Sequence, residues 1–273
     1  MPFTLSHPAA AVPFSRWGLV LSALIVGSLS PDFIYFIFLS PQYHAGHTFI
    51  GLFILDIPMG LVVLWIFHKI LKYPILSLFP ITHQHCLMPV ANRFHFFPLP
   101  HFLLIVFSLF IGALTHIAWD AVTHFNGWVV VQLPILSAPL IETAQGTLKV
   151  YKVLQYGSTF LGAALLFYGY ISGLKQTPKP PIRQKLLLST QTQWFILVLM
   201  GLSSGFVAMI YGFVSVAPLT HFRLVYPFIV QTVVAGISLL FIELIIFSIL
   251  WHWQNPNPNP QPPLPNLIFT HKK

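Results

Sequence analysis

Charged side chains are scarce in this chain, and acidic ones are the scarcest. Only 7% of the 273 residues are charged and five are acidic, whereas 56% are hydrophobic. Because soluble domains usually carry about a quarter of charged residues, this composition excludes an ordinary soluble protein. The single cysteine, Cys86, excludes an internal disulfide. The sequence has no internal repeat, which argues against transporter folds built from two related halves.

Long apolar runs take the place of the missing charge. Six runs are long enough to cross about 30 Å of hydrocarbon as helices, and none has the period-two alternation of a membrane β-barrel. They lie at residues 17–39, 49–71, 101–122, 151–174, 194–216 and 226–251. A seventh run, 129–141, contains two prolines and is expected to be re-entrant or interfacial. The sequence therefore predicts an all-α, polytopic helical membrane protein with about five to six transmembrane helices.

The polar motifs divide the chain into three regions. Residues 1–175 carry all of them, 176–253 hold two further transmembrane helices, and 254–273 form a Pro/Asn-rich tail that we expect to be disordered. The segment 72–100 contains four prolines and is expected to be a loop.

Basic residues predict the orientation of the helices. Ten of them collect on one side if the N-terminus, the 72–100 and 175–193 loops and the tail lie together, and three remain on the other side. The ten are Arg16, Lys69, Lys72, Arg93, Lys175, Lys179, Arg183, Lys185, Lys272 and Lys273, and the three are Lys149, Lys152 and Arg223. Because basic loops stay in the cytoplasm, we expect both termini there. The net charge of +8 then suits anionic lipid headgroups rather than nucleic acid.

Three ionisable residues lie at a spacing of four in the third apolar run. His116, Asp120 and His124 share one helix face, one turn apart. If the second and third spans pack antiparallel, Asp56 lies at the depth of His116, and His47 at the depth of His124. Ionisable groups inside a membrane are costly and are kept mainly where they bind, pair or relay something. The sequence therefore predicts a polar site in the outer half of the bundle.

Histidine and carboxylate ligands together favour a divalent metal ion, with zinc first and manganese or iron as alternatives. Such an ion would activate water, with Asp56 or His124 as the general base. His116 and His124 are about 12 Å apart along the helix, so they cannot both bind one ion. His124 then serves a second ion or orients a ligand. Two other interpretations stay open: a proton or cation path along the same line, and polar residues that only join helices.

Several motifs resemble those of a known family. The chain opens with PFTLSHPAA (residues 2–10) and continues with GSLSPDF (residues 27–33). Together with His44, Asp56, residues 112–124 and LQYGS at 154–158, these motifs resemble an uncharacterised bacterial family of multi-pass membrane proteins. That family is distantly similar to LexA-regulated, membrane-bound metal-dependent hydrolases. The hydrolases carry a His-Arg-Gly-x-x-His-Ser segment, whereas this chain has YHAGHT at 43–48 without the Arg.

The resemblance implies a ligand set, a location and a class of substrate. The candidate metal ligands are His7, Asp32, His44, His47, His116 and Asp120. The implied location is the bacterial inner membrane, and the implied activity is hydrolysis of a phosphoester or another lipid-borne bond.

His7 can join these ligands only if the chain reverses before Asp32. A continuous span at 17–39 would leave His7 on the opposite side of the membrane from Asp32. The helix from Trp17 to Ser30 covers only about 21 Å, and Ser30 precedes a proline, which biases it away from the α conformation. We therefore expect a re-entrant N-terminal hairpin with five full spans, and His7 within ligand reach of Asp32, His116 and Asp120.

Overall fold

The computed structural model describes residues 4–41, 43, 45–143, 146–177, 188–219, 221 and 224–255. The α-helices are α1 Pro8–Ala11, α2 Leu21–Leu29, α3 Phe33–Phe38, α4 Phe49–Gly51, α5 Ile57–Ile66, α6 Lys72–Ser77, α7 Ile81–Ala91, α8 Leu99–Thr123, α9 Trp128–Gln132, α10 Val150–Gln176, α11 Thr190–Val216 and α12 Val225–Gln254. Short 3-10 helices lie at Thr4–Ser6, Val12–Trp17, Ser30–Asp32, Ala45–His47 and Pro134–Ser137. Two strands, β1 Pro139–Thr143 and β2 Gly146–Lys149, form an antiparallel hairpin.

Within the described residues, six helical segments are long and apolar enough to cross a membrane. They are Leu21–Phe38, Phe49–Ser77, Leu99–Gln132, Val150–Gln176, Thr190–Val216 and Val225–Gln254. The predicted all-α, polytopic membrane fold is therefore confirmed. Each segment lies within a few residues of a predicted run, except that the second and third extend further along the chain.

The residues before α2 fold back to form a hairpin. The first arm runs from Thr4 to Trp17, and the chain then turns at Gly18, whose φ of 86° lies in the left-handed region that glycine adopts without strain. This arm packs against α2, α8 and α10. The expected N-terminal hairpin is found, but the second arm with α3 still gives an 18-residue segment long enough to span, so six candidate spans remain instead of five.

Because of the hairpin, Thr4 and the end of α12 lie near opposite ends of the second span. Thr4 donates a hydrogen bond to Asp32 near the turn that precedes the second span. At the other end of the described chain, His252 lies 2.9 Å from the backbone oxygen of Ile70, near the close of that span. Thr4 and His252 therefore lie near opposite ends of the second span. The termini themselves, residues 1–3 and 256–273, lie outside the described residues, so the expectation that both share one side stays a prediction.

Close packing between α2 and α8 brings the polar residues of the first and third spans together. A Cβ on Gly27 would lie 2.3 Å from the Leu109 backbone oxygen, and one on Gly112 would lie 2.4 Å from the Leu24 oxygen. Only glycine permits this approach, as in other membrane helix pairs that meet through small residues. Ala23, Val26, Leu64, Ile105 and Leu109 form the apolar core beside this contact.

The second span is interrupted by two π-helical turns. Leu52–Asp56 is the first, and Pro58 follows it at the start of α5. Proline has no N–H to donate to the preceding turn, so the regular hydrogen-bond ladder cannot continue through this position. Phe67–Leu71 forms the second π turn, before Pro74 in α6. Such turns occur often at functional sites, and the first one carries Asp56.

The 72–100 segment differs from the sequence-based expectation, whereas the interfacial position expected for 129–141 stays a prediction. Residues 72–100 contain α6 and α7 and are not an irregular loop. The start of α7 is held by the side-chain amides of Gln84 and Gln193, which donate to the backbone oxygen of Phe79 at 2.8 and 3.1 Å. The Gln193 contact joins residues 114 positions apart and cannot be read from local sequence. The 129–141 segment forms the end of α9, a 3-10 helix and β1. The predicted disordered tail, from residue 256 onward, lies outside the described residues.

Candidate metal centre

Five of the predicted ligands converge at one buried position. His7, His116 and Asp120 form one group whose ligand atoms lie within 4.8 Å of one another, and Asp32, His47 and His116 form another. His116 belongs to both groups, so the two share one centre. His7, Asp32, His116 and Asp120 are buried, and His47 is partly buried.

Each ligand is positioned by a separate local structure. Asp32 ends the 3-10 turn that Pro31 starts between α2 and α3. His47 ends the 3-10 turn before the second span, and His7 precedes the proline that begins α1. His116 and Asp120 lie one turn apart on α8. Three spans and the N-terminal hairpin arm therefore contribute to one site.

The ligand atoms are separated by distances that suit a shared ion. The His47 Nε2 atom lies 3.4 Å from Asp32 Oδ1 and 3.2 Å from Asp120 Oδ2. The His116 Nε2 atom lies 3.7 and 3.3 Å from the same two oxygens, and His7 Nε2 lies 3.7 Å from Asp120 Oδ1. Two ligands that are each 2.0–2.1 Å from a tetrahedral zinc ion lie about 3.3 Å apart. The observed spacing matches that geometry.

Several buried atoms of this cluster make no hydrogen bond within the described part of the chain. They are Asp32 Oδ1, His116 Nε2 and Asp120 Oδ1. Each of these atoms makes only imidazole–carboxylate contacts of 3.3–3.7 Å. Buried polar atoms without a full hydrogen bond are costly, so native proteins rarely leave several in one place. A bound cation would coordinate His116 Nε2 together with the carboxylate of one of the two groups, either Asp32 or Asp120. The residues therefore fit a divalent metal ion by both spacing and donor chemistry.

Neighbouring groups fix the orientation of three ligands. His116 Nδ1 lies 2.7 Å from the Ser28 backbone oxygen, so this nitrogen carries the proton and Nε2 faces the centre. Thr4 donates a hydrogen bond of 2.6 Å to Asp32 Oδ2, which leaves Oδ1 toward the centre. The Tyr35 hydroxyl lies 3.3 Å from His47 Nδ1. Metal sites depend on such outer contacts to hold their ligands in place.

The position of His7 follows the prediction. Its ring is stacked on His116, with ring centres 3.7 Å apart and planes inclined by 13°. The hairpin therefore brings His7 within ligand reach of His116 and Asp120, as expected. Whether His7 binds a metal stays a prediction.

His47 lies deeper than antiparallel pairing predicted. It was expected at the depth of His124, but its Nε2 atom lies 3.2 Å from Asp120 Oδ2 and its ring centre 5.3 Å from that of His116, so the side chain reaches further into the bundle. The 3-10 turn Ala45–His47 causes this, because it packs against the Ser30–Asp32 turn. A Cβ on Gly46 would lie 2.4 Å from the Pro31 backbone oxygen, so glycine is required for the approach.

His124 lies beside the cluster but outside both ligand groups. Its Nδ1 atom is 3.2 Å from the Asp120 backbone oxygen and 3.3 Å from Asp120 Oδ1, so Nδ1 carries the proton. Its Nε2 atom lies 3.5 Å from the side-chain amide nitrogen of Gln155. Lys152 donates to the Gln155 amide oxygen at 2.9 Å and so fixes which way that amide points. Of the two roles left open for His124, this geometry favours orientation of Asp120 over a second ion.

Asp56 is buried next to the centre without belonging to either group. Its Oδ1 atom would lie 3.0 Å from a Cβ on Gly46, and its Oδ2 atom makes no hydrogen bond among the described residues. The π turn that carries it packs against α8 and the Ser30–Asp32 turn. Its role as a general base stays a prediction. The remaining candidate ligand, His44, lies outside the described residues.

A cavity of about 1530 Å³ adjoins the cluster. Tyr35, His47, Asp120 and His124 line one part of it, so the candidate centre is accessible from the cavity. Helices α10, α11 and α12 supply much of the remaining lining. Ligand pockets usually measure about 300–1,000 Å³, so this cavity has room for a molecule larger than most cofactors.

Sequence reasoning missed the residues that support the ligands. Thr4 and Ser28 lie inside the quoted motifs, and Gln155 lies in LQYGS, but none was assigned a role. Only their position within those motifs gave a signal. Tyr35 carried none, because an aromatic residue in an apolar span is ordinary.

Comparison with known proteins assigns the chain to a family. A family model described as "Domain of unknown function (DUF4184)" matches residues 1–249. Because the match covers most of the chain, this protein belongs to that family. No curated protein and no solved structure matches it. The family description names no activity, so the resemblance to hydrolases and the bacterial origin stay predictions.

Proposed function

We propose that this member of the DUF4184 family is a membrane-embedded, metal-dependent hydrolase of ester-type bonds. The observation that carries the proposal is the convergence of three imidazoles and two carboxylates at a buried position beside a large cavity. Structural zinc sites are closed and mostly use thiolates, whereas catalytic sites use histidine and carboxylate ligands and keep a coordination position open. Either ligand group supplies three protein ligands, which is the usual number in catalytic zinc sites.

The charges of the site support a divalent ion. In either ligand group, two neutral imidazoles and one carboxylate would hold the ion, and the carboxylate of the other group would add negative charge nearby. Zinc is the preferred ion, with manganese or iron as alternatives. When bound, the ion would supply Lewis acidity that polarises the substrate oxygen and makes water a stronger acid.

The protein residues account for the proton transfers of a phosphoester hydrolysis. The oxygen of water bonds to phosphorus, the bond from phosphorus to the alcohol oxygen breaks, and one proton of water ends on the released alcohol. His124 suits the proton-carrying role, because it lines the cavity and its Nδ1 atom faces Asp120. Its Nε2 atom would take up the proton in exchange for the 3.5 Å contact with the Gln155 amide nitrogen. Thr4 and the Ser28 backbone keep Asp32 and His116 in place during the reaction.

The alternative of a proton or cation path receives less support. A channel or transporter for protons or cations requires a polar route through both leaflets of the membrane. On the basic side of the cluster, α2, α5 and α8 are packed through Ala23, Val26, Leu64, Ile105 and Leu109, all buried and apolar. A site closed on that side and accessible from a cavity on the other suits an enzyme better than a pore.

The charge asymmetry suggests where the reaction takes place. Among the described residues, Arg16, Lys69, Lys72, Arg93 and Lys175 lie toward the end of the bundle away from the cluster, and basic segments stay in the cytoplasm. In a bacterial inner membrane, the candidate centre would then lie in the outer leaflet and its cavity would face the extracytoplasmic side.

Metal analysis of purified protein tests the proposal. The protein is stripped with a chelator, reloaded with zinc and freed of excess metal before mass spectrometry. We expect at least one zinc ion per chain in the wild type and almost none in Asp120→Asn. The substitution removes a carboxylate ligand that contacts four imidazole rings. Loaded wild-type protein should also hydrolyse bis(4-nitrophenyl) phosphate.

The matched control is Glu243→Gln, which alters another carboxylate within the apolar spans. Glu243 accepts a hydrogen bond from Ser203 between α11 and α12, outside the cluster. It should bind zinc as the wild type does. Equal zinc in Asp120→Asn and wild type would refute the site, and proton flux into liposomes that depends on Asp120 would favour the transport alternative.

A further inference from the structure

The cavity beside the candidate centre has two walls of opposite character. The wall formed by the hairpin arm, the turn before the second span and α8 is polar, and its lining includes Thr4, His47, Thr48, Asp120, His124 and Asn126. The rest of the lining comes from α10, α11 and α12 and is mainly apolar, with Phe160, Ile229, Val230, Val233, Val234 and Ile237 beside the more polar Tyr156, Thr159, Tyr211, Ser215, Tyr226 and Gln231. The apolar side chains of this part are called the apolar wall. The polar wall carries the metal ligands, whereas the apolar wall carries no group that reacts with an ester.

The apolar wall is a continuous stripe on one helix. Ile229, Val233 and Ile237 are spaced by four residues, so they lie along one face of α12. The lining of α12 from Tyr226 to Ile237 extends about 17 Å. A soluble substrate would gain nothing from such a stripe, because it has no long apolar part to bury.

Polar contacts hold α12 at the position where the stripe faces the cavity. The Gln231 amide donates to the backbone oxygen of Leu39, and the Ser238 hydroxyl donates to that of Phe36 at 2.8 Å. Both acceptors lie in or just after α3, which follows Asp32 directly. The stripe is thus tied to the same turn that supplies a metal ligand, and the distance between the two walls is fixed.

A cation lies near the polar part of the cavity. The Lys152 ammonium is 5.8 Å from the ring centre of Tyr156, which lines the cavity, and it donates to the Gln155 amide that faces His124. A positive charge at this place favours an anionic group on the ligand. Phosphate carries such a charge, whereas a carboxylic ester does not.

We propose that the cavity binds a membrane lipid phosphoester, with its phosphate against the His47–Asp120 wall and its hydrocarbon chain along Ile229, Val233 and Ile237 of α12. This inference rests on the proposed function, because it names the substrate class of the same centre. The lipid reaches the cavity from the bilayer: Phe160 is 77% exposed and Ile229 is 51% exposed, although both line the cavity. An amphiphile between the two walls places its phosphate beside the ligands without leaving the membrane.

Lipid binding is tested by photo-crosslinking without reference to catalysis. The probe is phosphatidic acid with a photoreactive group in its acyl chain, diluted in phosphatidylcholine vesicles that contain the protein. We expect crosslinks within residues 229–237 that unlabelled phosphatidic acid displaces and inorganic phosphate does not. Displacement by inorganic phosphate would show a site for the free anion, and crosslinks that phosphatidic acid does not displace would show only surrounding lipid. Either result overturns the proposal.

Val233→Trp is the variant that distinguishes the two walls. An indole at this position fills the space of the lipid chain but leaves the metal ligands unchanged. Zinc-loaded Val233→Trp should cleave phosphatidic acid in phosphatidylcholine vesicles about tenfold more slowly than the wild type and cleave bis(4-nitrophenyl) phosphate at a similar rate. The matched control is Val214→Trp, because Val214 is 70% exposed on α11 and is not among the described lining residues.

Ile229→Trp serves as a second variant on the same stripe, in case Val233→Trp does not fold. Unchanged cleavage of phosphatidic acid in a folded stripe variant would overturn the lipid site. If the wild type binds zinc and cleaves only the soluble ester, the lipid inference fails while the hydrolase proposal survives. If the wild type binds no zinc and cleaves neither compound, the hydrolase proposal fails, and crosslinking alone then decides whether α12 holds a lipid phosphoester.

Discussion

Two regions of this molecule bury a histidine within the apolar spans, and the groups that surround the imidazole differ between them. His116 points its free nitrogen at Asp32 and Asp120 and stacks on a second histidine. His68, near the basic end of the bundle, stacks on Phe94 with ring centres 3.4 Å apart and lies 3.0 Å from the Ser22 hydroxyl. The charged groups that act on the His68 ring are Lys72 and Lys69, both cations.

The difference shows that a buried histidine does not define a site by its presence alone. At His68, the ring face is used for packing, Nε2 contacts a hydroxyl, and Nδ1 makes no hydrogen bond among the described residues, but no carboxylate converges on the ring. At His116, two carboxylates and two further imidazoles are directed at the same point, and several of these atoms have no other partner among the described residues. Carboxylates are the costlier groups to bury, so their convergence is the stronger indication of function.

Metal content measured in two single-histidine variants tests this comparison most directly. We expect His7→Ala to lower zinc content strongly, because His7 offers one ligand of a three-residue group. His68→Ala should keep the zinc content of the wild type, because no carboxylate faces its ring among the described residues. Mass spectrometry of stripped and reloaded protein gives both values. Zinc loss in His68→Ala, or none in His7→Ala, would remove the distinction between the two regions.

Removing the hydroxyl that contacts each region should change zinc binding less than removing the histidine. Thr4 supports Asp32 and Ser22 contacts His68. Thr4→Val should weaken zinc affinity about 10–100-fold, since loss of a contact that holds a ligand usually costs this much. Thr4→Ser keeps the hydroxyl and should bind as the wild type does. Ser22→Ala should leave affinity unchanged. A competition titration with a zinc indicator measures all three, and equal affinity in Thr4→Val and Thr4→Ser would contradict the role given to Asp32.

The smallest effect that we predict concerns the α2–α8 contact, which separates the two regions along the bundle. Gly112→Ala should destabilise the protein by about 2 kcal/mol, because the added Cβ meets the backbone of α2. Gly157→Ala has no neighbour within 4 Å and should be neutral or stabilising by up to about 1 kcal/mol. Thermal unfolding in detergent compares them. Equal melting temperatures would show that α2 and α8 are not packed as described.

The membrane class and the six spans could be predicted from the sequence because hydrophobic run length depends on local composition. The His116–Asp120 pair was recognisable for the same reason, since helical periodicity places both residues on one face. The N-terminal hairpin was also predictable from the short Trp17–Ser30 stretch and the early prolines. What failed was the reach of His47, because the 3-10 turn before the second span carries it deeper than two straight antiparallel helices would.

By itself, the sequence determined that this chain belongs in a membrane and that most of its acids and histidines lie within the first 124 residues. Only the tertiary structure decided which of them meet. Contacts such as Thr4 with Asp32, or the Ser28 backbone with His116, join residues 28 and 88 positions apart. They depend on how closely α2 and α8 approach through Gly27 and Gly112. The cavity likewise forms between helices that are distant in sequence, and no local pattern records its two walls.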